Sequence, residues 1–139
     1  MGRILAIDYG LQRTGLAVTD PLQIIASALD TVETSSLLGF LKNYFQKETV
    51  DEIVIGMPKR LNNEDSDTAA TVRKFIEVFK KNYPAMKLTE ADERFTSALA
   101  RQAMVSGGMK KKDRQVKGNV DKISATLILQ SYLQTKSLR

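Results

Sequence analysis

An apolar run at residues 4–7 ends on a carboxylate, Asp8, crosses a turn carrying Gly10, and re-enters a second apolar run at residues 16–18. Short apolar runs on either side of a glycine-bearing turn predict two buried strands, residues 3–8 and 14–19, joined as a hairpin. The arrangement is restrictive. A strand buried over most of its length can present a charge only at its end, so Asp8 falls at a tip beside open backbone. A metal ion or a phosphate can be held there, which makes Asp8 the first candidate for chemistry.

The rest of the chain reads as alternating elements. Residues 24–33, after the Asp20-Pro21 turn, predict a third strand. Leu37, Leu38, Leu41, Tyr44 and Phe45 recur at helical spacing over residues 36–47, with Ser35 as the cap. Residues 51–56 predict a strand ending in Gly56, and residues 59–65 a polar loop. From Ser66 or Asp67 a helix carries Val72, Phe75, Ile76, Val78 and Phe79 on its apolar face. Residues 86–93 predict a strand through Met86, Leu88 and Ala91. A helix over 96–106 is stopped by Gly107-Gly108, and residues 109–118 form a basic, glycine-terminated loop. The last helix, 119–135, packs through Val120, Ile123, Leu127, Ile128 and Tyr132. The order βββαβαβαα is a mixed α/β arrangement, a meander followed by βα units. With no internal repeat and no linker, the 139 residues are expected to form one domain, 1–139.

Composition removes much of catalytic chemistry. The chain has no cysteine and no histidine, which excludes a thiol nucleophile, a disulfide, a Cys/His zinc site and an imidazole base. Acid–base or metal work falls to Asp and Glu, and a donor set of oxygens suits Mg²⁺ or Mn²⁺. The net charge of +5 favours an anionic partner, nucleic acid first. No apolar stretch approaches the roughly 18 residues of a membrane span, and nothing at the N-terminus resembles a signal peptide. No membrane partner is expected, and the expected location is the cytoplasm.

Four acidic positions fall where strands or helices can aim them inward: Asp8, Asp92, Glu93 and Asp121. Alternation sends Asp92 and Glu93 to opposite faces, so one of them can join Asp8. Glu93, with the longer reach, is the choice. Asp121 falls in the first turn of the predicted last helix, where the helix dipole alone would favour a carboxylate. Converging carboxylates repel one another unless a cation sits among them. Two divalent ions roughly 3.5–4 Å apart neutralise both ends of a phosphodiester displacement. Asp8, Glu93 and Asp121 are therefore the candidate catalytic and metal-binding residues. Lys110, Lys111, Lys112, Arg114 and Lys117 precede Asp121 and suit phosphate contacts. Arg13, Lys59, Arg60 and Arg94 are further candidates for the nucleic-acid backbone, and Tyr9 for stacking on a base. Gly10 and Gly15 read as shapers of the hairpin.

Asp8-Tyr-Gly10 with Arg13-Thr-Gly15-Leu-Ala17 resembles the opening of the YqgF/RuvX family of Holliday-junction-resolvase-like bacterial proteins. Ile55-Gly56-Met-Pro58, Asp92-Glu93-Arg94-Phe-Thr96-Ser97 and Val120-Asp121-Lys122-Ile123-Ser-Ala125 are similar to later motifs of that family, in order across the chain. Ser124 stands where the family usually has alanine, and Asp113 interrupts the basic loop. The resemblance implies an α/β, ribonuclease H-like fold: a five-stranded mixed sheet of order 3-2-1-4-5, flanked by helices. It implies divalent-metal nuclease chemistry at Asp8, Glu93 and Asp121, with Mg²⁺ or Mn²⁺ as cofactor. The implied partner is nucleic acid: pre-16S rRNA matured at its 5′ end, with branched DNA as the alternative. Ribosome association, and a monomer or homodimer, are compatible with it.

Two other readings compete. Asp-x-Gly on a first strand also opens the actin, heat-shock and sugar-kinase ATPases, but these need two such lobes and this chain has room for one. A non-catalytic nucleic-acid-binding or antitermination module would keep the fold without turnover, and the intact acidic trio argues against it.

Overall fold

The computed structural model describes residues 2–57, 69–92 and 117–137. Five strands, β1 (Arg3–Asp8), β2 (Arg13–Thr19), β3 (Ala26–Glu33), β4 (Val50–Met57) and β5 (Lys87–Asp92), form one sheet in the order β3-β2-β1-β4-β5. β2 is antiparallel to β1 and β3, while β4 and β5 run parallel to β1. Three described helices accompany them: α1 (Leu37–Lys47), α2 (Ala69–Asn82) and α3 (Lys117–Ser137). This is the mixed, 3-2-1-4-5 sheet that the resemblance implies.

Strand alternation builds two different cores. Leu5 and Ile7 of β1, Leu16 of β2, and Ile53 and Ile55 of β4 face α1 and α2. They meet Leu37 and Leu41 of α1 and Val72, Phe75, Ile76 and Phe79 of α2. Ile4, Ala6, Ala17 and Val54 face the other way and meet Ala125, Ile128 and Leu129 of α3. Each large side chain fully buried in these layers contributes about 1.5–3 kcal/mol of transfer free energy. The small residues opposite α3 let that helix lie close to the sheet.

Several local expectations change. The third strand begins at Ala26 rather than residue 24. The backbone N–H groups of Ile24 and Ile25 both donate to Asp20 Oδ1 at 2.8 Å, so they are committed before the ladder starts. Both isoleucines are exposed, and Gln23 before them turns the chain at φ 61°. Ser35 does not cap α1. It lies in a 3₁₀ turn, Thr34–Ser36, and Ser36 at the helix boundary makes no side-chain cap bond. Val78 is 43% exposed and Leu38 37%, so neither belongs to the apolar face assigned to it. α3 begins at Lys117, inside the segment predicted as loop. Leu129, which the apolar spacing passed over, is fully buried, while Leu127 is only half-buried.

Candidate active site

β1, β4 and β5 run in parallel and finish on one edge of the sheet, at Asp8, Met57 and Asp92. Ligands of open α/β sheets bind beyond the carboxyl ends of strands, and this is such an edge. Asp8 pairs with Gly15 across the hairpin. On its other side the ladder runs from the Ile7–Ile55 pair toward Gly56, itself opposite Ala91. Glycines stand beside the half-buried Asp8 on both neighbouring strands, Gly15 on β2 and Gly56 near the end of β4. Ile4 and Ala6 belong to the core beneath α3, so alternation carries position 8 to the same face.

The loop after Asp8 is held from below. Thr34 Oγ1 donates to the Gly10 carbonyl at 2.6 Å, the Thr34 N–H donates to the Gln12 carbonyl at 2.9 Å, and the Thr14 and Thr34 hydroxyls are 2.9 Å apart. A Cβ at residue 10 would overlap the Arg13 carbonyl oxygen, so the close turn admits only glycine there. Gly10 shapes the hairpin, as expected. Tyr9 turns to the opposite face from α3 and packs on Phe75, with ring centroids 5.3 Å apart. Burial pushes its phenol above the usual tyrosine value.

The other predicted residues are placed unevenly. Arg13 opens β2 at the Asp8 edge and is half-buried. Asp92 is the last residue of β5. Asp121 and Lys117 belong to α3, and because that helix starts at Lys117, Asp121 falls beyond the first turn, which holds no acidic residue. The helix dipole, strongest within the first turn, is therefore a weaker account of Asp121 than the sequence suggested. Glu93, Arg94, Lys59, Arg60, Lys110, Lys111, Lys112 and Arg114 lie outside the described residues. Among the described residues, no three His, Cys, Asp or Glu side chains gather.

Sequence reasoning passed over one buried carboxylate. Glu52 on β4 is 3% exposed. Its Oε2 accepts from the Tyr132 hydroxyl of α3 and from Thr89 Oγ1 at 2.9 Å, and lies 3.7 Å from Lys87 Nζ. The signal was present, since Glu52 shares its alternation with the inward Val54. Glu52 lies four strand residues before Gly56, a separation of roughly 13 Å at about 3.3 Å per residue. It is not part of the Asp8 edge.

A sheet of order 3-2-1-4-5 with a carboxylate at the tip of its first strand defines the ribonuclease H-like class. The likeness to solved structures agrees. Thermus thermophilus RuvC in complex with a Holliday junction substrate superposes with a TM-score of 0.59 at 14% identity, over 99% of this chain and 96% of that one. The Fowlpox virus resolvase, in complex with its substrate Holliday junction DNA, gives 0.58 at 12% identity over 96% and 98%. At those identities the likeness establishes the fold. The family is narrower: the model for RuvX, described as Holliday junction resolvase, matches residues 2–135, and the chain belongs to that family. A Bacteroides fragilis relative named "Putative pre-16S rRNA nuclease" is 54% identical over 138 residues, covering 99% of this chain and all of the relative.

Proposed function

We propose that this chain is a nuclease that hydrolyses phosphodiester bonds of pre-16S rRNA, at the 5′ end, with Asp8 as the central carboxylate of its site. The full-length match to the family and to a relative bearing that name carries the reading. Asp8 at a glycine-flanked strand tip is consistent with it. On this reading residues 1–139 form one domain, acting in the cytoplasm as a monomer or homodimer, in association with the ribosome.

The donor set fits a hard divalent cation, because Asp8 offers carboxylate oxygen and the chain contains neither histidine nor cysteine. Asp8, Glu93 and Asp121 would hold Mg²⁺ or Mn²⁺, two ions on this proposal. Bound there, such ions would offset the charge that develops on both sides of an in-line displacement. Two features support the trio. Ala91 of β5 packs beneath α3, on the face of Asp8, and Glu93 stands two residues further along the sequence. Position 121 lies four residues, about one turn, before Ala125, which packs on the sheet. It precedes Tyr132 by about three turns, roughly 16 Å. A helix running back from Glu52 toward the Asp8 edge covers the roughly 13 Å between them. Arg13, Lys59, Arg60, Arg94, Lys110, Lys111, Lys112, Arg114 and Lys117 would orient the backbone through its phosphates.

The family description favours one second reading, cleavage of branched DNA. Purified chain is incubated with a 5′-labelled pre-16S fragment and, separately, with a four-way DNA junction, in Mg²⁺, Mn²⁺ or EDTA. Metal-dependent cleavage of the RNA alone is expected. Cleavage of the junction alone would replace the RNA reading, and cleavage of neither would remove both.

A further inference from the structure

On the face of the sheet away from α3, a cavity of about 230 Å³ opens between Tyr9, the start of α1 and α2. It lies at the Asp8 edge, since Tyr9 follows Asp8 directly and α1 begins where β3 ends. Tyr9 and Phe75 supply aromatic surface, Leu38 and Val78 expose apolar surface at its rim, and Lys74 and Thr71 supply a cation and a hydroxyl. The volume is below the roughly 300–1,000 Å³ of pockets that enclose drug-sized ligands. A single ring system fits.

We propose that this cavity receives a single unpaired base of the RNA strand, stacked on Tyr9, while Lys74 contacts an adjoining phosphate. The proposal rests on the nuclease reading above and adds a substrate requirement, an unpaired nucleotide in the bound strand. The chemistry matches on each side. A base has flat apolar faces and a polar edge, and the cavity has aromatic and aliphatic walls with a polar rim. The backbone it hangs from is anionic, and Lys74 stands exposed at the opening. Asp8 and Tyr9 are consecutive at the tip of β1 but turn to opposite faces, so a strand that meets both passes around the end of the sheet. Duplex cannot enter a cavity of this size, so the subsite distinguishes single-stranded from paired RNA.

The test uses the full chain in EDTA, so that binding is read without cleavage. The probe is a short single-stranded RNA carrying 2-aminopurine, with the same strand annealed to its complement as the control. Stacking should quench the single-strand fluorescence. Tyr9→Leu should abolish the quench and weaken single-strand binding by about tenfold, the scale of one base–aromatic stack. Val78→Glu, on an exposed position, should do the same, and carries the test if Tyr9→Leu fails to fold. Lys74→Ala should lower the salt-dependence slope by roughly 0.7, one phosphate contact on a single strand. Duplex binding should not change. A quench that survives both Tyr9→Leu and Val78→Glu, or an equal loss on duplex and single strand, overturns the subsite. The two readings separate cleanly: cleavage by wild type without any quench removes the subsite and leaves the nuclease, and a quench without metal-dependent cleavage does the reverse.

Discussion

Two carboxylates belong to the α3 side of the same sheet, roughly 13 Å apart along the strands, and their surroundings differ in kind. Glu52 is enclosed: Tyr132, Thr89 and Lys87 converge on one of its oxygens, and solvent barely reaches it. Asp8 stands at a strand tip, half-buried, opposite a glycine, on the edge where the parallel strands end. A buried carboxylate that closes a ring of donors ties α3 to β4 and β5. A carboxylate at an open edge can take up a ligand. The difference teaches that two carboxylates on one face of a sheet can be fitted for different work, one satisfied by protein donors and one placed where the strands end.

The comparison breaks most readily at Asp8. Asp8→Asn keeps the shape and removes a ligand charge, so RNA cleavage should fall by about a hundredfold or more, while thermal unfolding barely moves. Cleavage within tenfold of wild type would take Asp8 out of the chemistry. At the enclosed end the effects should reverse. Tyr132→Phe removes a donor from buried Glu52 and should cost about 1–3 kcal/mol in urea unfolding, with the cleavage rate nearly unchanged. An unaltered stability would reduce the Glu52 ring to incidental contact. Ser124, also on α3, is 2% exposed and its hydroxyl has no hydrogen-bond partner among the described residues. Ser124→Ala should therefore be neutral or stabilising, by up to about 1 kcal/mol, and a clear destabilisation would reveal a partner for the hydroxyl.

The smallest effect is expected at Asp20, in the β2–β3 turn. Backbone N–H donation from Ile25 and then Ile24 holds its carboxyl below the usual range. With the folded value lowered, its contribution is complete above the ordinary carboxylate pKa of about 3.9 and is lost as pH falls through the lower folded value. Amide exchange at Ile24 and Ile25 should quicken only on strong acidification. Acceleration already between pH 6 and 5 would assign the protection to another group.

Much of this was legible in the chain. The five strands follow from short apolar runs, most clearly β1, β2 and β4, whose residues are mostly buried, while their order follows from the motifs that carry the family resemblance. What failed did so for local reasons. Ile24 and Ile25 read as strand because apolarity cannot report that Asp20 has already taken their N–H groups. Leu127 was preferred to Leu129 because α3 is apolar on more than one side, so spacing alone does not choose the buried stripe. Glu52 was missed because its partners, Thr89 and Tyr132, are remote in sequence. At the candidate site, Asp8, Gly10 and the hairpin were readable as local features. Joining Asp8 to Glu93 and Asp121 is a long-range relation, which the spacing of residues along the chain does not report.

The most direct test of the central claim is to soak crystals of the protein in Mn²⁺ and locate the ions by anomalous scattering, comparing wild type with Asp8→Asn. Ions at the Asp8 edge, contacted by Glu93 and Asp121 and lost in Asp8→Asn, are the expected result. Ions absent from that edge in the wild type, or unchanged when Asp8 is replaced, would contradict the account.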